Sequence, residues 1–315
     1  MDAAAGQAPL YTDIAEAPAG GIAQWRICAD GVRVRVALWP REGARGTVLL
    51  FPGRTEYIEK YGPAAGELAA RGYAMACIDW RGQGLADRPL ADRARGHVAR
   101  FTDYQRDVAA LLAAAREAGL PEPFHLIAHS MGGCIGLRAL HEGLPVASAV
   151  FSAPMWGIHL PAALRPLAWA MAAGARMARQ GHLYAPGTGP LTYVLAVPAP
   201  GNVLTSDPAM YGFMQRQLRA HPCLALGGPT LHWLSEALRE TRALAARMPP
   251  ALPCLCVIGS NERVVDTGRI RAIMARWPGG RLEVIPGAEH EVMMEVPATR
   301  RRFHDSAAAL FGRQG

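Results

Sequence analysis

Residues 124–140 pass from an apolar stretch, Phe124-His125-Leu126-Ile127-Ala128, through His129-Ser130-Met131-Gly132-Gly133 into the helical pattern of Cys134-Ile135-Gly136-Leu137-Arg138-Ala139-Leu140. This reads as a strand, a sharp turn and a helix, with a serine at the tip. Small residues on either side let the backbone turn tightly and lift Ser130 Oγ clear of a sheet, the geometry of a nucleophile elbow. Ala128 stands where the pattern usually has its first glycine, and alanine still fits a crowded turn. A turn serine that caps the following helix has the same local signature. The motif therefore needs partners from elsewhere in the chain.

Those partners are sought by chain order, because on such sheets an acid and then a histidine follow the serine, each on a loop after a later strand. Cys254-Leu255-Cys256-Val257-Ile258-Gly259 reads as a buried parallel strand and leads into Ser260-Asn261-Glu262-Arg263. A helical segment over 267–277 follows. Arg281–Pro286 then reads as another strand and leads into Gly287-Ala288-Glu289-His290. Glu262, three residues past the strand's terminal glycine, is the expected acid. Asp266, directly before Thr267, suits a helix N-cap. Of the ten histidines, His290 alone combines strand end and loop in the required order, and it is the expected general base. His129 adjoins the serine, but a tight turn sends neighbouring side chains in different directions. His125, inside a strand, reads as a core histidine satisfied by the backbone.

With those residues in hand, the chain resembles the monoacylglycerol-lipase and bacterial lysophospholipase branch of the α/β-hydrolases, which includes serine-aminopeptidase-like members. The likeness is carried by Phe51-Pro52-Gly53-Arg54-Thr55-Glu56 through Lys60-Tyr61, by Asp79-Trp80-Arg81-Gly82-Gln83-Gly84, by the elbow, and by Gly259–Asp266. Leu204–Pro208 and Gly227–Thr230 are similar to cap segments of the bacterial enzymes. The resemblance spans roughly residues 20–310. It implies an α/β fold, a mostly parallel central sheet flanked by helices, with a mainly helical cap insertion. It also implies Glu262 as acid and His290 as base. Backbone N–H groups of Arg54 and Met131 would form the oxyanion hole. Glu56 and Lys60 match positions that hold a glycerol head group, although their spacing also suits an ordinary helical ion pair. The Arg54 side chain has two readings: a salt bridge to Glu56 or Glu59, or a contact with a phosphate or carboxylate of the substrate.

At 315 residues, half of them hydrophobic, the chain can bury one large core. We expect a first part of the core over 1–154, a cap over 155–248 where the strand–helix rhythm stops, and the rest of the core over 249–315. Arg33–Trp39 has the period of a half-exposed antiparallel strand, and 164–179 that of an amphipathic lid or cap helix. No phosphate-cradling glycine loop and no cysteine–histidine spacing for zinc occur, so neither cofactor nor metal is expected. The six cysteines sit mostly in apolar runs, which favours packing over disulfides. Prolines and glycines break the long uncharged stretches near 143–164 and 182–206, and Met1–Ala5 has no signal-peptide pattern, so a cytoplasmic protein with loose membrane-surface contact is expected. The net charge of +7 suits anionic lipid surfaces or substrates and lacks a nucleic-acid motif. The expected activity is serine hydrolysis of a carboxylic ester, monoacylglycerol or lysophospholipid. General short-chain esterase, aminopeptidase, acyltransferase and a catalytically silent binding protein are the rivals.

Overall fold

The computed structural model describes residues 6–159 and 180–313. Eight strands form one sheet: β1 Ile22–Ile27, β2 Arg33–Trp39, β3 Thr47–Phe51, β4 Ala74–Asp79, β5 Phe124–His129, β6 Ser148–Ser152, β7 Cys254–Gly259 and β8 Arg281–Ile285. They lie in the order β1-β2-β4-β3-β5-β6-β7-β8. β2 is antiparallel to both its neighbours, and every pairing from β4 to β8 is parallel. Strands β3 to β7 are buried along their whole length, as near-continuous apolar runs under helices on both faces must be.

Among the described residues, seven helices of eight or more residues surround this sheet: α1 Gly62–Ala70, α2 Tyr104–Glu117, α3 Met131–His141, α4 Pro208–Ala220, α5 Leu231–Ala245, α6 Thr267–Met274 and α7 Pro297–Phe311. Alternation along each strand divides the core in two. Leu126 and Ala128 of β5 join the cluster made with α2, α3, α5 and α6, whereas Ile127 joins the cluster made with α1, α4 and α7. Both of the longer described helices between β6 and β7 are thus anchored. Trp233, Ala237 and Leu244 carry α5 into the first cluster, and Met210, Phe213 and Met214 carry α4 into the second. The amphipathic segment expected over 164–179 lies outside the described residues. No described helix is long and apolar enough to cross a membrane.

One strand departs from its sequence pattern. β2 alternates arginine and valine, yet only Arg33 is exposed. Arg35 is fully buried, with Nε 2.8 Å from Asp79 and its two terminal nitrogens 2.7 Å from the Glu59 carboxylate oxygens. A charge can enter the interior when it is paired and hydrogen-bonded on this scale. The alternation here therefore marks an internal ion pair. Arg81 likewise reaches Asp30 and Asp107, bracing the loop after β4.

Candidate active site

Ser130 stands between β5 and α3 with φ 48° and ψ −117°, a conformation rarely adopted by a residue with a side chain. Four backbone bonds hold it there: its N–H donates to Ser152 O at 3.0 Å, and its carbonyl accepts from Gly133 and Met155 at 2.8 Å each and from Cys134 at 3.4 Å. The departure at Ala128 has a local explanation. Its methyl faces Gly136 on α3, where an added Cβ would come within 3.2 Å of it. Glycine on the helix makes the room that glycine on the strand would otherwise supply.

The second and third groups arrive from the ends of β7 and β8. Glu262 Oε1 accepts from the N–H groups of Val264 at 2.6 Å and Val265 at 3.0 Å, leaving Oε2 2.7 Å from His290 Nδ1. The other ring nitrogen of His290, Nε2, lies 3.0 Å from Ser130 Oγ. Asp266 accepts from Arg269 N at 3.0 Å as the cap of α6. Burial pulls the His290 pKa down, but the Glu262 carboxylate more than offsets this and the net shift is upward. For Glu262, burial pushes upward and the imidazole with the two backbone donors pulls the value below the usual carboxylate range.

The loop after β3 is clamped from several sides. Trp80 Nε1 donates to Pro52 O at 2.9 Å, Gln83 Nε2 donates to Gly53 O at 2.8 Å, and Gly53 N–H donates to the Glu56 carboxylate. The backbone N–H groups of Arg54 in this loop and of Met131 at the start of α3 have no protein acceptor among the described residues. The Arg54 side chain makes no salt bridge to Glu56 or Glu59, because both carboxylates are already taken. Glu59 serves Arg35, and Glu56 serves Lys60 at 2.7 Å and Tyr61 OH at 2.5 Å. Arg54 instead donates to Gly227 O at 2.9 Å and lies 5.6 Å from the ring centroid of Trp233.

Behind the serine lies a buried polar cluster. Lys60 Nζ bridges Glu56 and Glu291, 2.7 Å from each. The two pairs hold the ammonium charged against the effect of burial. His129 turns from the serine, its Nδ1 3.0 Å from Ser152 O, and burial pulls its pKa down to about 3. Ligand atoms of Glu56, His129 and Glu291 lie within 4.8 Å of one another, but the lysine already occupies the place of a cation between the carboxylates. The sequence does not single out Glu291 in this role. Its position beside His290, in a chain with one lysine, is the signal that could have drawn attention to it.

These groups open into a cavity of ≈ 340 Å³ at the carboxyl ends of the parallel strands. Ser130, His290, Arg54, Glu56 and Lys60 share its wall with Met155, Ile158, Val194, Leu204, Met214, Leu218 and Trp233. The wall is thus mainly apolar, with its polar groups gathered around the serine.

A mostly parallel sheet with a strained serine after its central strand, and later loops converging on it, defines an α/β-hydrolase. Within that class the chain belongs to the family described as serine aminopeptidase, S33, whose model matches residues 42–297. It is 36% identical over 284 residues to lysophospholipase L2 of Escherichia coli, covering 86% of this chain and 82% of that one. It is 30% identical over 274 residues to the probable lysophospholipase L2 of Haemophilus influenzae, covering 85% and 84%. Its fold matches a soluble variant of monoglyceride lipase from Saccharomyces cerevisiae, solved with a substrate analogue, at a TM-score of 0.72 and 20% identity, over 92% of this chain and 94% of that one.

Proposed function

We propose that this ester hydrolase cleaves monoacylglycerol or lysophospholipid through a Ser130–His290–Glu262 triad. The observation that carries the reading is the unbroken hydrogen-bonded chain from Ser130 Oγ through His290 to Glu262, at 3.0 and 2.7 Å, beside an apolar cavity. His290 Nε2 takes the hydroxyl proton as Oγ attacks the ester carbonyl, and Glu262 orients the ring and stabilises the imidazolium. The Arg54 and Met131 N–H groups receive the oxyanion. His290 then returns the proton to the departing alcohol, leaving an acyl-serine. A water that gives its proton to His290 completes the cycle by releasing the fatty acid. The insertion 155–248 acts in this scheme as the cap that supplies the acyl-chain wall. In the same scheme Glu56 and Lys60, which line the cavity, contact the glycerol unit.

The relatives' names favour lipid esters over peptides, and the charge pattern agrees. A free amino terminus needs an uncommitted carboxylate. The acidic groups on the described cavity wall are Glu56 and Glu291, and both are held by Lys60. The test is fatty-acid release from monoacylglycerol, lysophospholipid and short-chain esters, with wild type beside Ser130→Ala. Loss of about 10⁴–10⁶-fold in kcat is expected for the variant on the long-chain lipids. Near-normal turnover would remove the triad from the mechanism. Release from short esters alone would withdraw the lipid assignment.

A further inference from the structure

Two side chains on the described cavity wall keep a fixed positive charge, Arg54 and Lys60, and they are treated differently. Lys60 sits between two carboxylates. Arg54 has no acidic partner among the described residues. One terminal nitrogen donates to Gly227 O at 2.9 Å, the guanidinium lies beside the Trp233 ring, and its Nε and Nη2 find no protein acceptor among the described residues. Burial pushes its pKa down to about 10, so the group is still charged at neutral pH. A cation partly withdrawn from water without a counter-charge carries a desolvation cost. Its neutral partners do not offset that cost, but they do fix the fork in place, joining the loop after β3 to α5.

We propose that Arg54 receives the phosphate of a lysophospholipid while Ser130 attacks the acyl ester, so that head-group charge decides substrate choice. This rests on the ester-hydrolase reading above and separates its two lipid substrates. A guanidinium presents paired donors that match phosphate oxygens, which a lysine could not do from the same place. The backbone N–H of Arg54 faces the reacting carbonyl in the proposed mechanism. The glycerol unit that separates ester from phosphate is comparable in length to an arginine side chain, so one residue can serve both ends. A phosphate supplies the missing counter-charge. A monoacylglycerol leaves the guanidinium unpaired.

The experiment compares kcat/KM for monomeric lysophosphatidylglycerol and monoacylglycerol of equal chain length in wild type, Arg54→Gln and Arg54→Lys. The readout is the preference ratio within each protein, which cancels any loss common to both substrates. The ratio is expected to fall about 10- to 100-fold in Arg54→Gln, chiefly through KM, and to recover in part in Arg54→Lys. If Arg54→Gln does not fold, the smaller fall expected in Arg54→Lys carries the test. A ratio unchanged within about threefold, or a loss shared equally by the two lipids, overturns the proposal. Inorganic phosphate added to a short-chain ester assay distinguishes a free anion as the ligand. Arg54-dependent inhibition with no change in the lipid ratio would also overturn it. Absence of Ser130-dependent release from either lipid would instead count against the ester-hydrolase reading itself.

Discussion

His290 is held by a carboxylate on one side and a hydroxyl on the other, and this fixes the direction of its pH dependence. In the proposed mechanism, only the neutral imidazole can accept the Ser130 proton. Because the His290 pKa is raised, kcat/KM should climb through an acid limb above the ordinary histidine value of about 6.5. Glu262→Gln removes the charge that raises it, so the limb should move to lower pH while kcat falls by about 10⁴-fold. Asp266→Asn keeps a good cap and should change little. A pH–rate series on the three proteins checks all of this, and a larger effect at Asp266 would exchange the two acids' roles. Residue by residue, Ser130, Glu262 and His290 could be singled out in the sequence because their positions follow from strand ends, which apolar runs mark clearly, and the structure brings the three within hydrogen-bonding distance. The fate of Arg54 was not legible. Its side chain is settled by Gly227 and Trp233, far away in sequence, and by competition in which Lys60 and Arg35 claim the nearby carboxylates.

Among the elements, one close fit lies where the loops after β7 and β8 cross. Gly259 ends β7 directly beneath the second loop, and a Cβ there would come within 2.0 Å of Ala288 O. The two loops are also tied by Ser260 N–H to Ile285 O at 2.9 Å and Asn261 N–H to Ala288 O at 3.0 Å. Gly259→Ala must push them apart, separating Glu262 from His290. We expect kcat to fall about 10²-fold or more with the fold retained, measured as turnover beside a circular dichroism spectrum. Wild-type turnover in a folded variant would show that the crossing tolerates more movement than its geometry implies. Strand β2 teaches the complementary lesson. Its alternating pattern correctly marks an antiparallel strand, but period alone cannot tell an arginine facing water from one facing two buried carboxylates.

Across the whole molecule, the two hydrophobic clusters draw on strands and helices from both ends of the chain and on α4 and α5, which lie between β6 and β7. A segment tied in this way has little reason to unfold by itself. In urea, tryptophan fluorescence, to which the buried Trp156, Trp233 and Trp277 contribute, and far-ultraviolet circular dichroism should trace coincident transitions. Two separated transitions would show that the segment between β6 and β7 unfolds as an independent unit. The one lysine of the sequence adds a consequence of a different kind. Lys60 is 4% exposed and clasped by Glu56 and Glu291. A lysine-specific endoproteinase therefore finds no accessible site in the native chain and a single one in the unfolded chain. Cutting into two fragments, followed over time at native conditions, becomes a clock for the opening of the active-site floor. A substrate analogue that fills the cavity should slow it.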